Sequence, residues 1–172
     1  MRVLRAPPEA GFDCGRKEQN RFFYESAWAD QQAHVSVTYL YFVGGTCAAY
    51  ATLCMDALPL GRRERAEELR YPEIGALKLA QLGVDRRFQR KGVGRLVVAD
   101  MTTLARVLAR SVGCRYVSLD AQPELVGWYE SQGFTRNELR QAQRVVDALK
   151  YGREPEKIAV SMRFDLRDSA LE

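Results

Sequence analysis

LAQLGVDRRFQRKGVGRLVVADM, residues 79–101, decides how this chain folds. An apolar, strand-like run leads into it and an apolar, helix-like run leads out. Between them lies QRKGVG, residues 89–94, with two glycines, two positive charges and one glutamine. Glycine within a regular element costs roughly 0.5–1 kcal/mol relative to alanine, so its concentration at one strand-to-helix junction calls for a reason. The first amides of a helix have no internal acceptor and carry the positive end of the helix dipole. Glycines let a phosphate approach those amides closely. Arg86, Arg87, Arg90, Lys91 and Arg95 add side-chain charge around the same point. The junction therefore implies a phosphate or pyrophosphate ligand. Two familiar phosphate loops do not fit: GxGxxG needs a third glycine, and GxxxxGK[ST] has no counterpart here.

Outward from the junction, Ala76–Val84 reads as a strand. Leu77, Leu79, Gln81 and Gly83 fall on one face; Lys78, Ala80, Leu82 and Val84 fall on the other. Downstream, Val93, Leu96, Val97, Met101, Leu104, Ala105, Leu108 and Val112 keep the i, i+3, i+4 spacing of a long helix, and Gly113 stops it. RYVSLDA is the next strand, and PELVGWYESQ a short helix with Pro123 in its first turn. GFTRNE starts a further strand, Leu139–Glu156 forms a helix or long loop, and KIAVSMRFDL is the last strand.

Upstream, Arg2–Arg5 reads as a short first strand ended by Pro7 and Pro8. FDCGRKEQN enters a helix over Arg16–Gln32. Gly44–Gly45 separates two β-rich runs, a hairpin signal. Val35, Val37, Tyr39 and Tyr41 alternate with Ser36, Thr38, Leu40 and Phe42, which predicts a strand buried on both faces. Residues 56–75 are polar, charged and bounded by prolines; they read as a surface excursion with a short helix over Arg62–Arg70. The expected architecture is one α/β (α+β) domain over residues 1–172, a mixed, mostly antiparallel sheet flanked by helices.

Composition narrows the classes. With 172 residues, 47% hydrophobic and 28% charged, the chain is long enough to bury a proper core. No apolar run is long enough to span a bilayer, and the N-terminus has no apolar signal segment, so the expectation is a cytoplasmic protein without a membrane partner. The four cysteines form no CxxC pair and His34 is the single histidine, so a metal site is not expected; Cys47 and Cys54 read as buried free thiols. A formal net charge of +4 suits an anionic ligand, a nucleic acid or a plain solvated surface, and does not choose among them.

The pattern Q-x-x-G-x-G after an apolar strand, here Gln89, Gly92 and Gly94, together with Tyr129, Gly133 and Phe134 in WYESQGF, resembles the GNAT N-acetyltransferase superfamily. The order of elements resembles that family over almost the whole chain. The resemblance implies acetyl-CoA (coenzyme A as co-substrate) and an amine acceptor. It implies that the backbone of Gln89, Arg90, Lys91, Gly92, Val93 and Gly94, with Arg95 beside it, holds the pyrophosphate. It implies that the main chain of Leu82 and Val84 pairs with the pantetheine arm, and that Tyr129 protonates the departing thiolate. For Tyr129 the competing reading is a half-buried core tyrosine. No general base is assigned: Glu73 precedes the strand, and Asp120 ends the next strand, where it serves equally well as a helix cap.

Phe12, Asp13, Cys14 and Gly15, followed by a helix rich in aromatics and alanine, further resemble a bacterial branch of this superfamily. That branch includes toxins that acetylate aminoacyl-tRNA and pair with a small DNA-binding antitoxin. It implies tRNA as an alternative acceptor and an antitoxin protein as partner, and the wider family implies a homodimer. Arg136, Arg140, Arg144, Lys150, Arg153 and Lys157 form a basic stretch suited to phosphate contacts, or a solvated face balanced by Glu138, Asp147, Glu154 and Glu156. Phe22, Phe23, Trp28 and Trp128 line an acceptor groove or, more simply, pack in the core. Three functions stay open: an N-acetyltransferase for a small-molecule or protein amine, a toxin acting on aminoacyl-tRNA, and a non-catalytic acyl-CoA sensor.

Overall fold

The computed structural model describes residues 1–167. Its elements run β1 (Arg2–Val3), α1 (Lys17–Arg21), a π-helical stretch (Phe22–Ser26), α2 (Ala27–Gln32), β2 (Val37–Val43), β3 (Thr46–Pro59) and β4 (Glu73–Val84). A 3₁₀ turn (Arg86–Phe88) then leads to α3 (Val93–Val112), β5 (Tyr116–Ala121), a second 3₁₀ turn (Pro123–Leu125), α4 (Val126–Glu130), β6 (Thr135–Arg136), α5 (Glu138–Lys150) and β7 (Val160–Asp165). The strands form one mixed seven-stranded sheet in the order β1-β2-β3-β4-β5-β7-β6. The chain divides into two compact units, one of residues 1–54 and 79–103, the other of residues 55–78 and 104–167.

The first unit is built on a hairpin. Gly44 and Gly45 have φ of 55° and 81°, the left-handed pair that a two-residue loop between twisted strands requires. β2 pairs antiparallel with β3 from Val43↔Thr46 to Val37↔Leu53, with a bulge at Tyr41/Phe42. β2 is not buried on both faces. Thr38 and Tyr41 are buried, but Val37, Phe42 and Val43 are exposed, as is Val35 ahead of the strand. Thr38 and Thr52 face each other with hydroxyls 2.8 Å apart.

The core of this unit is aromatic. Phe12, Cys14, Phe23 and Tyr50 form a buried cluster, with Phe22, Tyr24, Leu40 and Cys47 packed against it. Phe23 stacks on Tyr50 at 4.6 Å, so Phe22 and Phe23 are core residues. Gly83 on β4 lies against the same ring: a Cβ there would meet Tyr50 Cε1 at 2.4 Å. The predicted helix over Arg16–Gln32 forms, widened into a π-helical stretch at its centre. No disulfide links the four cysteines among the described residues; Cys14 and Cys114 are buried, while Cys47 and Cys54 are only half-buried.

The second unit packs Leu58, Leu60, Ile74, Ala76 and Tyr116 together, with Leu69 against them. β7 pairs antiparallel with both β5 and β6. The surface excursion is shorter than the sequence suggested, because β3 runs on to Pro59 and β4 starts at Glu73. The short helix over Arg62–Arg70 does not form; the segment is a series of turns. Its alternating charges supply no apolar stripe to bury. Instead Glu64 is claimed from four directions. It accepts from the amides of Gly61, Glu138 and Leu139 and pairs with Arg163 at 2.9 Å.

Candidate active site

β4 delivers the chain to Asp85, whose side chain organises the turn that follows. Asp85 is buried and accepts from the amides of Asp13 (3.0 Å) and Arg87 (2.9 Å). The Arg87 guanidinium closes on the same carboxylate, Nε to Oδ1 at 2.8 Å and Nη2 to Oδ2 at 2.9 Å. That arginine, ahead of the two amides, holds the Asp85 carboxyl well below the usual carboxylate range. The amide of Arg86 in turn donates to the Asp13 carbonyl at 2.9 Å. The FDCG segment is thus a strap tied across the turn, a role that sequence reading alone did not assign to it.

Gln89 adds the second tie. Its Nε2 donates to the carbonyls of Cys14 and Val84, both at 2.9 Å. The glutamine side chain therefore braces the turn and leaves its backbone outward. Arg90 follows with φ of 59° and Gly92 with φ of 84°. The left-handed region suits Gly92 but costs a residue such as Arg90 about 1–2 kcal/mol. α3 then runs for 20 residues from Val93. The first helical amide to find a carbonyl is that of Leu96, on Gly92 at 3.1 Å, so the amides before it point outward unpaired.

The fit to a pyrophosphate rests on this geometry. Gln89, Arg90, Lys91 and Gly92 are exposed, Val93 and Gly94 half-buried, and Arg95 exposed. A Cβ at Gly92 would meet no atom within 4 Å, so the space above the turn is open. Among the described residues Arg90, Lys91 and Arg95 have no ion-pair partner, whereas Arg86 pairs with Asp13 at 3.4 Å and Arg87 with Asp85. Of the five cations singled out by sequence, three are available to an anion and two are structural. Leu82 and Val84 lie half-buried at the end of β4.

In the second unit, Tyr129 lies on α4 and is 7% exposed. Its ring meets Trp128 edge-on at 4.8 Å and Phe134 at 5.7 Å. α4 ends at Glu130; Gly133, with φ of 88°, turns the chain back into β6, and the Phe134 amide closes that turn on the Tyr129 carbonyl at 3.2 Å. WYESQGF thus fixes the ring of Tyr129 from both sides.

The basic stretch is largely neutralised. Arg140 grips Asp56 with two bonds (2.8 and 3.0 Å), and Asp56 also accepts from the Ser118 hydroxyl. Arg144 pairs with Asp120 at 2.7 Å, Arg136 with Glu130 at 3.1 Å and Lys157 with Glu154 at 2.6 Å. A continuous phosphate-binding stripe along this segment is not what the structure presents. Asp120 also accepts from Lys78 at 2.7 Å. Burial raises its proton affinity, but Arg144 and Lys78 together outweigh that and hold it below the ordinary aspartate value. It does not cap the helix that follows, whose N-cap position is Gln122. Glu73 lies exposed at the start of β4.

No helix among the described residues is long and apolar enough to cross a membrane. No curated protein matches the sequence. Solved structures of bacterial toxins share the fold. A structure described as a bacterial toxin is 20% identical, with a TM-score of 0.74 over 95% of this chain and 86% of that one. The toxin AtaT, as a tyrosine-to-phenylalanine mutant bound to the C-terminus of the antitoxin AtaR and acetyl-CoA, is 20% identical, with a TM-score of 0.69 over 96% and 91%. AtaT complexed with acetyl-methionyl-tRNAfMet is 22% identical, with a TM-score of 0.67 over 73% and 78%. The model of the acetyltransferase (GNAT) domain matches residues 68–154, half of the chain, and the chain belongs to the GNAT acetyltransferase family.

Proposed function

We propose that this protein is an acetyl-CoA-dependent N-acetyltransferase in which the turn at Gln89–Gly94 seats the coenzyme's pyrophosphate. The observation that carries the reading is the bare, left-handed turn at Gly92, braced by Gln89 and opening onto the first amides of α3. Arg90, Lys91 and Arg95 supply charge there, and the main chain of Leu82 and Val84 lies along the pantetheine arm. The acceptor nitrogen attacks the thioester carbonyl carbon, the carbon–sulfur bond breaks, and the Tyr129 hydroxyl gives its proton to the departing thiolate. No carboxylate is assigned as base. Asp120 is a poor one, since two cations stabilise its ionised form, so the acceptor amine is read as arriving neutral and losing its second proton to water. The whole chain is taken as one catalytic domain, working in the cytoplasm, with a homodimer as its expected state.

The acceptor is a primary amine of a small molecule or a protein, or the amino group of an aminoacyl-tRNA. The second reading is favoured by the shared fold with AtaT, which has been solved with an acetylated tRNA; with it comes an antitoxin protein as partner. The ion-paired arginines of α5 weaken it. Calorimetry with acetyl-CoA, followed by transfer assays with a panel of amines and charged tRNA, tests the whole proposal. Binding with transfer to one acceptor class supports it and names the class. Binding without transfer to any acceptor supports the sensor reading instead. No binding overturns the assignment of the turn.

A further inference from the structure

Beneath the N-terminal segment of the first unit lies a cavity of 490 Å³, within the size range of small-molecule sites. Its walls are largely apolar, with Leu4, Phe12, Phe23, Leu40 and Cys47 among them. Burial pushes the Cys47 thiol up to about 11, so that wall carries no charge at neutral pH. Three charged side chains also line the cavity: Arg5, Glu9 and Arg87.

Arg87 shows what kind of ligand this space suits. A guanidinium has five N–H donors. Nε and one N–H of Nη2 go to Asp85, and the other N–H of Nη2 goes to the Gly11 carbonyl at 2.7 Å. The two N–H groups of Nη1 find no acceptor among the described residues. Arg5 and Glu9 likewise have no ion-pair partner there. Asp85 already offsets the charge of Arg87, and Arg5 and Glu9 balance each other, so it is the unused Nη1 donors rather than net charge that mark this end of the chamber for an acceptor.

We propose that this cavity binds an amphiphilic carboxylate, a medium-chain fatty acid anion, with its tail among the apolar walls and its head on Arg87 Nη1 and Arg5. A carboxylate matches the unused donor pair by charge-assisted hydrogen bonds, and the remaining Arg87 donors stay on Asp85 and Gly11. The cavity lining shares Arg87 with the brace of the turn but includes none of Gln89–Gly94, and the proposal does not depend on the acetyltransferase reading.

The test uses decanoate as probe and the full chain, titrated by calorimetry with and without saturating coenzyme A. The expected result is one decanoate per chain with a Kd below about 1 mM, unaffected by coenzyme A, and decanol weaker by at least about tenfold. Thr46→Trp, which places bulk at the cavity's wall, is expected to abolish binding. Arg5→Glu, at an exposed position that leaves the core untouched, is expected to weaken it. The proposal is overturned by absence of binding, by equal affinity for decanol, by competition with coenzyme A, or by affinity that neither variant changes. It is also overturned if an apolar peptide with a free C-terminus binds where decanoate does not.

Discussion

Gln89 Nε2 lies 2.9 Å from the carbonyl oxygen of Cys14, a residue 75 positions earlier in the chain. The bond joins the helix-entry strap to the turn proposed to seat the pyrophosphate, and the same side chain also holds the Val84 carbonyl. Replacing Gln89 by alanine removes both. Each is worth about 0.5–1.5 kcal/mol net, so Gln89→Ala is expected to lower stability by about 1–3 kcal/mol in urea unfolding. Acetyl-CoA affinity should fall with it, by roughly tenfold if 1.4 kcal/mol of preorganisation is lost.

Gly92→Ala tests the turn itself. With φ at 84°, a side chain there costs about 1–2 kcal/mol, and its Cβ occupies the space a phosphate needs. Since that Cβ meets no protein atom within 4 Å, the fold should survive. The expected outcome is a thermally shifted but folded protein whose calorimetric affinity for acetyl-CoA drops more than its stability does. Equal losses in both would point to a purely structural glycine.

Tyr129→Phe separates chemistry from binding. The ring is clamped by Trp128 and Phe134, so phenylalanine should pack in its place. If Tyr129 is the proton donor as proposed, its loss is expected to lower kcat by about 10²–10⁴-fold, with the dissociation constant for acetyl-CoA unchanged. An unaltered kcat would remove Tyr129 from the mechanism.

The Asp85–Arg87 pair predicts an acid-side signature. The Asp85 carboxyl titrates lower in the folded chain than in the unfolded one, because Arg87 stabilises its ionised form. Its contribution is therefore fully present above the unfolded aspartate pKa of about 3.9 and is lost as pH falls from there toward the folded value. Unfolding free energy measured against pH should decline below about pH 4, and Arg87→Gln should flatten that decline. A wild-type curve with no acid slope would contradict the pairing.

The glycines show which parts of the architecture the sequence reveals. Gly44–Gly45, Gly92 and Gly113 all sit at positive φ, where local backbone chemistry alone predicts a turn or a helix end. The α3 stripe was equally legible, since its 3.6-residue period is a local property. What escaped sequence reading depends on distant partners. The turns at residues 61–70 follow from Glu64 meeting Arg163 and the amides of α5. The basic stretch is balanced mostly by Asp56, Asp120 and Glu130, carboxylates outside the segment, rather than by the acids within it that sequence offers. The strap function of Asp13 and Cys14 was hidden for the same reason: their partners, Asp85 and Gln89, lie more than 70 residues away.

The uneven pairing of the arginines has a kinetic meaning. Arg140, Arg144 and Arg163 each have a carboxylate within 3 Å, so their fields are largely cancelled at a distance. Arg90, Lys91 and Arg95 are uncancelled among the described residues, and they stand at the positive end of a 20-residue helix. If the coenzyme's phosphates bind at that turn as proposed, this field acts on them before any contact forms. On that proposal, added salt should slow capture far more than it hastens release, because release would be governed by short-range bonds to backbone amides that ions in solution scarcely screen.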